Sequence, residues 1–130
     1  KRVVGYVKCG DNDSIYADEG NAEGGDNCSI SACDGYAKGG DGSSIRAING
    51  NAIGNNFNTI SAHHGDAIGE DYNAIEALCG NATGECRNAI RAENGNATGD
   101  YSNAIIGNDG NATGGESCVV MATGKIIIGK

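Results

Sequence analysis

The stretch NAIEALCGNATGECRNAIRAENGNATGDYSNAIIGNDGNATGGES, residues 73–117, is three copies of one fifteen-residue unit. The same unit runs through most of the chain. Ile stands at 15, 30, 45, 60, 75, 90 and 105, and Val120 takes the next place, with no insertion between them. Ala follows two residues behind each Ile from Ala17 to Ala92; Gly107 breaks that column and Ala122 resumes it. Two glycine columns, from Gly20 to Gly110 and from Gly24 to Gly114, bracket a second alanine column from Ala22 to Ala112.

A fixed short period is the signature of a repeat architecture, and helical repeats are longer, about 30 to 47 residues. The alternation I-x-A has the two-residue period of a strand, as does the shorter N-A-x. Residues flanking the fixed positions include Glu, Lys, Arg, Asp and Asn, so the fixed Ile and Ala face inward. Glycines mark the corners, where a positive φ or a close backbone approach is needed. The pattern predicts an all-β chain, a parallel β-solenoid (β-helix or β-roll) of about eight to nine coils. Residues 1–130 form one domain: a partial first coil over 1–13, seven regular coils over 14–118 and a partial last coil over 119–130. A thin interior of Ala and one Ile per coil fills without voids. A further column, Cys28, Ser43, Asn58, Asn73, Asn88, Asn103 and Cys118, predicts an inward amide ladder at one corner.

Composition agrees with this scaffold. Glycine is abundant at 23 residues and aromatics reach only 5%, so a conventional core of large side chains is out of reach. The net charge of -8 argues against nucleic acid as a partner. No apolar run approaches a membrane span. Six cysteines in a short chain favour an oxidising, extracellular setting, and a start at Lys1 fits a processed secreted protein.

The coil NAIIGNDGNATGGES (103–117) resembles the head repeat of the YadA-type trimeric autotransporter adhesins. That resemblance implies a left-handed parallel β-roll and an adhesin-like surface module. Coil length, small core and cysteine content are similar to the β-solenoid antifreeze proteins of insects and grasses. That second resemblance implies a flat ladder of Thr or similar residues on one face, able to bind ice.

Five sets of residues are candidates for function. The first is the flat, uncharged patch Asn81, Thr83, Asn96, Thr98, Asn111 and Thr113, outward on the N-A-x strand. The second is the set of glycan sequons at Asn12, Asn27, Asn81, Asn96 and Asn111. Neighbouring coils are ~4.8 Å apart, so only a fraction of three stacked sequons can carry glycans. The third is the cysteines, of which Cys9 and Cys28 lie near one corner on neighbouring coils and form a plausible disulfide. The fourth is His64 and Cys79, which share a column on adjacent coils but lack a third ligand or an orienting acid. The fifth is the two apolar ends: Val3, Val4, Tyr6 and Val7 at one, Val119, Val120, Ile126, Ile127 and Ile128 at the other. Tyr6-Val7-Lys8-Cys9 and Ile126-Ile127-Ile128-Gly129 are expected at the N-A-x-G positions.

The segments GGDNCSI (24–30) and GGDGSSI (39–45) resemble an RTX calcium repeat, but Ser stands where the second Asp is required. Asp26, Asp41 and Asp71 are then solvated corner charges. No catalytic group, metal site or cofactor is expected. In-register apolar ends favour axial strand addition, which does not close on itself and therefore gives a filament. The expectation is a secreted, non-enzymatic structural protein that polymerises end to end, with itself and covalent glycans as partners. Ice binding through the Asn/Thr patch and an adhesin-like role are the alternatives.

Overall fold

The computed structural model describes residues 2–129, with side chains from residue 4 onward. Every regular element among them is a strand. In chain order these are β1 (Arg2–Val4), β2 (Val7–Lys8), β3 (Ser14–Glu19), β4 (Ala22–Glu23), β5 (Ser29–Asp34), β6 (Ala37–Lys38), β7 (Ser44–Ala47), β8 (Ala52–Ile53) and β9 (Thr59–His64). They continue as β10 (Ala67–Ile68), β11 (Ala74–Cys79), β12 (Ala82–Cys86), β13 (Ala89–Ala92), β14 (Ala97–Tyr101), β15 (Ala104–Gly107), β16 (Ala112–Gly114), β17 (Val119–Ala122) and β18 (Ile126–Ile128).

The odd strands form one nine-stranded sheet and the even strands another, each in sequential order. Every pairing is parallel, and Ile15, Ile30, Ile45, Ile60, Ile75, Ile90 and Ile105 stand side by side in register. The chain is a parallel β-solenoid. Nine strands at the usual spacing make a rod roughly 40 Å long.

The interior is the repeat made solid. Ile30, Ile45 and Ile60 are 1% exposed, and Ala17, Ala22, Ala32 and Ala37 not at all. A β-branched side chain suits the pleated surface, and Ala opposite it leaves no gap. The two main glycine columns are small because of close approach. A Cβ on Gly84 would lie 2.5 Å from Asn88 Nδ2 and 2.8 Å from Ile75 Cδ1. A Cβ on Gly95 would lie 2.0 Å from the Gly80 carbonyl oxygen one coil away.

The left-handed corner is elsewhere. It recurs at Asn12, Asn27, Gly42, Phe57, Tyr72, Arg87, Ser102 and Ser117, with φ between 55° and 68°. Each stands just before the inward-facing column that starts, among the residues named above, at Cys28.

Both terminal coils depart from the strict period at the same corner. Val3 pairs with Ala17 and Ile126 with Ala112, each fourteen residues apart. Between Ala17 and Gly20 lie two residues, whereas Val4 alone separates Val3 from Gly5 and Thr123 alone separates Ala122 from Gly124. The expected placement of the last coil is therefore corrected by one residue. Lys125, not Ile126, takes the Asn111 position, and its N–H donates to Asn111 Oδ1 at 2.9 Å. Ile126 and Ile128 continue the inward columns of Ala112 and Gly114, and Ile127 stacks outward on Thr113.

Candidate functional site

The inward ladder forms, and it is the best-connected polar feature of the molecule. Asn58, Asn73, Asn88 and Asn103 are 2–3% exposed. The N–H of Asn58 donates to Asn73 Oδ1 at 2.7 Å, that of Asn73 to Asn88 Oδ1 at 2.6 Å, and that of Asn88 to Asn103 Oδ1 at 2.7 Å. The amide nitrogens of Asn73, Asn88 and Asn103 donate to the carbonyls of Asn55, Glu70 and Glu85, eighteen residues back. Asn58 Nδ2 is buried without such a partner. An amide supplies both a donor and an acceptor, so one residue type satisfies two backbone groups per coil.

This ladder explains the two cysteines in its column. Cys28 Sγ donates to the Gly10 carbonyl at 3.1 Å, and its N–H donates to Ser43 Oγ at 3.0 Å. Cys118 Sγ accepts the Asn103 N–H at 3.4 Å. No two of the six cysteines stand at bonding distance, and Cys9 and Cys28, which the spacing placed near one corner, adjoin as thiols. Cys28 is buried as a ladder member, and burial together with the adjoining Cys28 thiol pushes the Cys9 thiol up from its ordinary pKa.

A second ladder lies outside the first and corrects another expectation. Asp11, Asp26, Asp41, Asn56 and Asp71 are not merely solvated. The Oδ1 of each accepts the backbone N–H of the residue one coil later, at 2.8–3.1 Å. Beside it runs the left-handed column, which the sequence reading missed. There the rings of Phe57 and Tyr72 stack at 5.0 Å with 12° between planes. The Arg87 guanidinium lies 5.3 Å over Tyr72 and donates to its hydroxyl at 2.5 Å. Left-handed backbone costs a non-glycine residue about 1–2 kcal/mol, and Asn relieves this by local hydrogen bonding. The period-fifteen spacing of 12, 27, 42, 57, 72 and 87 was the signal available, hidden because the residue types differ.

The Thr positions of the candidate face fall in one register. Thr83, Thr98 and Thr113 pair in register on the second sheet. Ile68 precedes them and Ile127 follows, with Ile53 one coil further back. Asn81, Asn96 and Asn111 are exposed, but their carboxamides are already employed. Asn81 Oδ1 accepts the Asn96 N–H at 3.0 Å, Asn96 Oδ1 the Asn111 N–H at 3.2 Å, and Asn111 Oδ1 the N–H of Lys125. The same row toward the N-terminus carries Lys8, Glu23 and Lys38, so the uncharged stripe starts at Ile53. The remaining sequons, Asn12 and Asn27, are exposed and left-handed, at φ 61° and 55°.

His64 and Cys79 are register partners, as their shared column implied. The His64 ring is stacked on His63 at 4.6 Å between centroids. The same sheet carries a shallow open groove between Ala74, Ala89 and Ala104 on one side and Glu76, Arg91 and Ile106 on the other. Arg91 bridges Glu76 at 3.5 Å and also pairs with Glu93.

The ends carry most of the large exposed apolar groups. Val119 is 72% exposed, Met121 64% and Ile128 62%, with Ile126 and Ile127 also exposed and Val120 half-buried. At the other end Val4 is 70% exposed and Val7 half-buried; the Val3 side chain lies outside the described residues. Tyr6 donates to Glu23 Oε2 at 2.7 Å and Tyr36 to Glu23 Oε1 at 2.5 Å, a clasp across three coils. These two bonds lower the Glu23 pKa, and the Glu23 bond pushes Tyr6 up to about 12. The sign follows: the clasp is complete above the ordinary glutamate pKa and is lost as pH falls through the lowered value.

Fold and surfaces together define a solid parallel β-solenoid whose corners are laced by side-chain ladders. No known protein family, curated protein or solved structure matches the chain. The likeness to adhesin heads and to antifreeze solenoids therefore rests on the repeat pattern alone.

Proposed function

We propose that this chain is an extracellular, non-enzymatic structural protein that adds to itself end to end. One observation carries the reading. Ile126 and Ile128 sit in inward columns that are buried from Ala22 to Ala112 and from Gly39 to Gly114, yet they are 47% and 62% exposed. Their strand, β18, and the last strand of the other sheet, β17, are each paired on one side only among the described residues. An unpaired edge with apolar side chains in core positions is a template for another strand. A second copy offering β1 and β2 would continue both sheets, and a head-to-tail contact of this kind propagates as a fibre. Glycans at the exposed sequons would decorate its flank.

Sedimentation across a concentration series tests this. The native chain is expected to give species whose size grows with concentration. Ile126→Lys with Ile128→Lys places two charges on the edge and is expected to leave a monomer. A native chain that sediments as a sharp 13.1 kDa species at the highest concentration would end the proposal.

The in-register Thr column favours a second reading, binding to ice. Thr83, Thr98 and Thr113 repeat at the strand spacing in one sheet, and Ile53, Ile68 and Ile127 extend the uncharged row. Thermal hysteresis that disappears in Thr98→Lys is the expected result under this reading, and absence of hysteresis in the native chain removes it.

A further inference from the structure

The left-handed column sets a problem that neither packing nor assembly answers. Every coil from residue 12 to residue 117 bends through a residue of positive φ at this corner. Five coils fill it with Asn12, Asn27, Gly42, Ser102 and Ser117, small or locally hydrogen-bonding residues suited to that conformation. Three consecutive coils use Phe57, Tyr72 and Arg87 instead, at φ 56–57°. Their side chains add nothing to the core: Phe57 is 65% exposed and Tyr72 46%. Backbone strain kept where easier residues serve next door points to function.

The arrangement of the three is ordered. Tyr72 lies between Phe57 and Arg87, stacked on one and covered by the other. Phe57 therefore has one face occupied and one face open. The other face looks toward the coil of Gly42, the single glycine of the described column, which has no side chain of its own to stack there. The rim of this opening is polar. A Cβ on Gly42 would fall 2.6 Å from Asn27 Oδ1, so the Asn27 carboxamide overhangs Gly42 from the coil before. Asp41 Oδ1 accepts from the Asn56 N–H at 3.0 Å and from Asn56 Nδ2 at 3.4 Å, which holds its carboxylate between the Gly42 and Phe57 coils.

We propose that this corner binds a neutral oligosaccharide, one pyranose ring lying on the open face of Phe57 over Gly42. A pyranose presents a face of C–H groups, which packs on an aromatic ring, and a rim of hydroxyls. Those hydroxyls donate to the Asp41 carboxylate and exchange hydrogen bonds with the Asn27 carboxamide. The slot is one coil high, ~4.8 Å, which suits a single ring. Anionic ligands meet Asp26, Asp41 and a chain of net charge -8. A cation is the poorer fit, because Phe is a weaker cation platform than Tyr or Trp and only one ring face is offered rather than a cage. The corner lies on the flank of the rod, so the sugar site stands apart from axial growth.

Isothermal titration with cellohexaose, xylohexaose and mannohexaose tests the assignment, with butylguanidinium as the cationic probe. Saturable heat is expected with at least one of the three sugars. Phe57→Asn is expected to weaken it at least about tenfold, the effect of losing one contact of ~1.4 kcal/mol. Asn holds the same corner at Asn12 and Asn27, so this variant keeps the backbone and its circular dichroism is expected to be native. Gly42→Asn fills the slot from the other side and is expected to weaken binding as well. No heat with any of the three sugars, native affinity in Phe57→Asn, or saturation by butylguanidinium with none by sugar each overturns the proposal.

Discussion

Gly95→Ala is expected to destabilise the solenoid by about 3 kcal/mol or more, the upper range for overpacking a filled interior. The added Cβ would lie 2.0 Å from the Gly80 carbonyl oxygen and 2.6 Å from its carbonyl carbon. Both atoms are backbone, so no flexible side chain can yield. The coils must separate, and that stretches the hydrogen bonds on both sides of the corner. Gly10→Ala is the control, because its Cβ would meet nothing within 4 Å; it is expected within ~0.5 kcal/mol of the native chain. Urea unfolding of both variants gives the answer. Equal midpoints for Gly95→Ala and the native chain would show that close approach is not what fixes the glycine column.

Asn88→Ala is expected to cost roughly 2–4 kcal/mol, from one orphaned backbone donor and the space left behind. Asn88 Oδ1 is the acceptor for the Asn73 N–H, which alanine leaves buried and unpaired. The other end of the amide matters less. Glu70 O loses Asn88 Nδ2 but keeps the Glu85 N–H at 2.9 Å. Asn88→Ser separates the two parts. A hydroxyl already serves as ladder acceptor where the Cys28 N–H donates to Ser43 Oγ, so Ser is expected to lose no more than about half of what Ala loses. If Ser and Ala unfold at the same urea concentration, the ladder acceptor is not the source of the stability.

The solenoid was legible because its coil is short and its inward residues are invariant. Ile at seven places fifteen apart cannot be placed on a helix face, and the I-x-A alternation names the strand. The amide ladder was legible for the same reason: four consecutive Asn in one column require a common role. The ladder role of two cysteines was not legible, because the cysteines were weighed as a chemical class. Cys28 and Cys118 belong to the Asn column, and there a thiol acts as a weak donor and acceptor. The outer Asp ladder was misread as charge at a corner, since an exposed carboxylate gives no hint from sequence that its oxygen is aimed at the next coil. Register at the last coil turned on the single residue Thr123 between Ala122 and Gly124, a length change that periodicity counted from Ile15 does not see. The aromatic corner escaped because its common property is a backbone angle, and Asn, Gly, Phe, Tyr, Arg and Ser share no side-chain chemistry.

The ladders point in opposite senses along the rod. In the inner one the acceptor belongs to the coil after the donor, as Asn73 Oδ1 serves the Asn58 N–H. In the two outer ones it belongs to the coil before, as Asp26 Oδ1 serves Asp41 and Asn81 Oδ1 serves Asn96. These links sit at the corners, at both narrow ends of a flattened cross-section. Twisting one coil on the next displaces the corners more than any other part, so the links act at the longest lever arm. A hydrogen-bonded stack without them would resist separation but turn easily; this one is stiff in torsion, and a stack built from it would carry torque along its length.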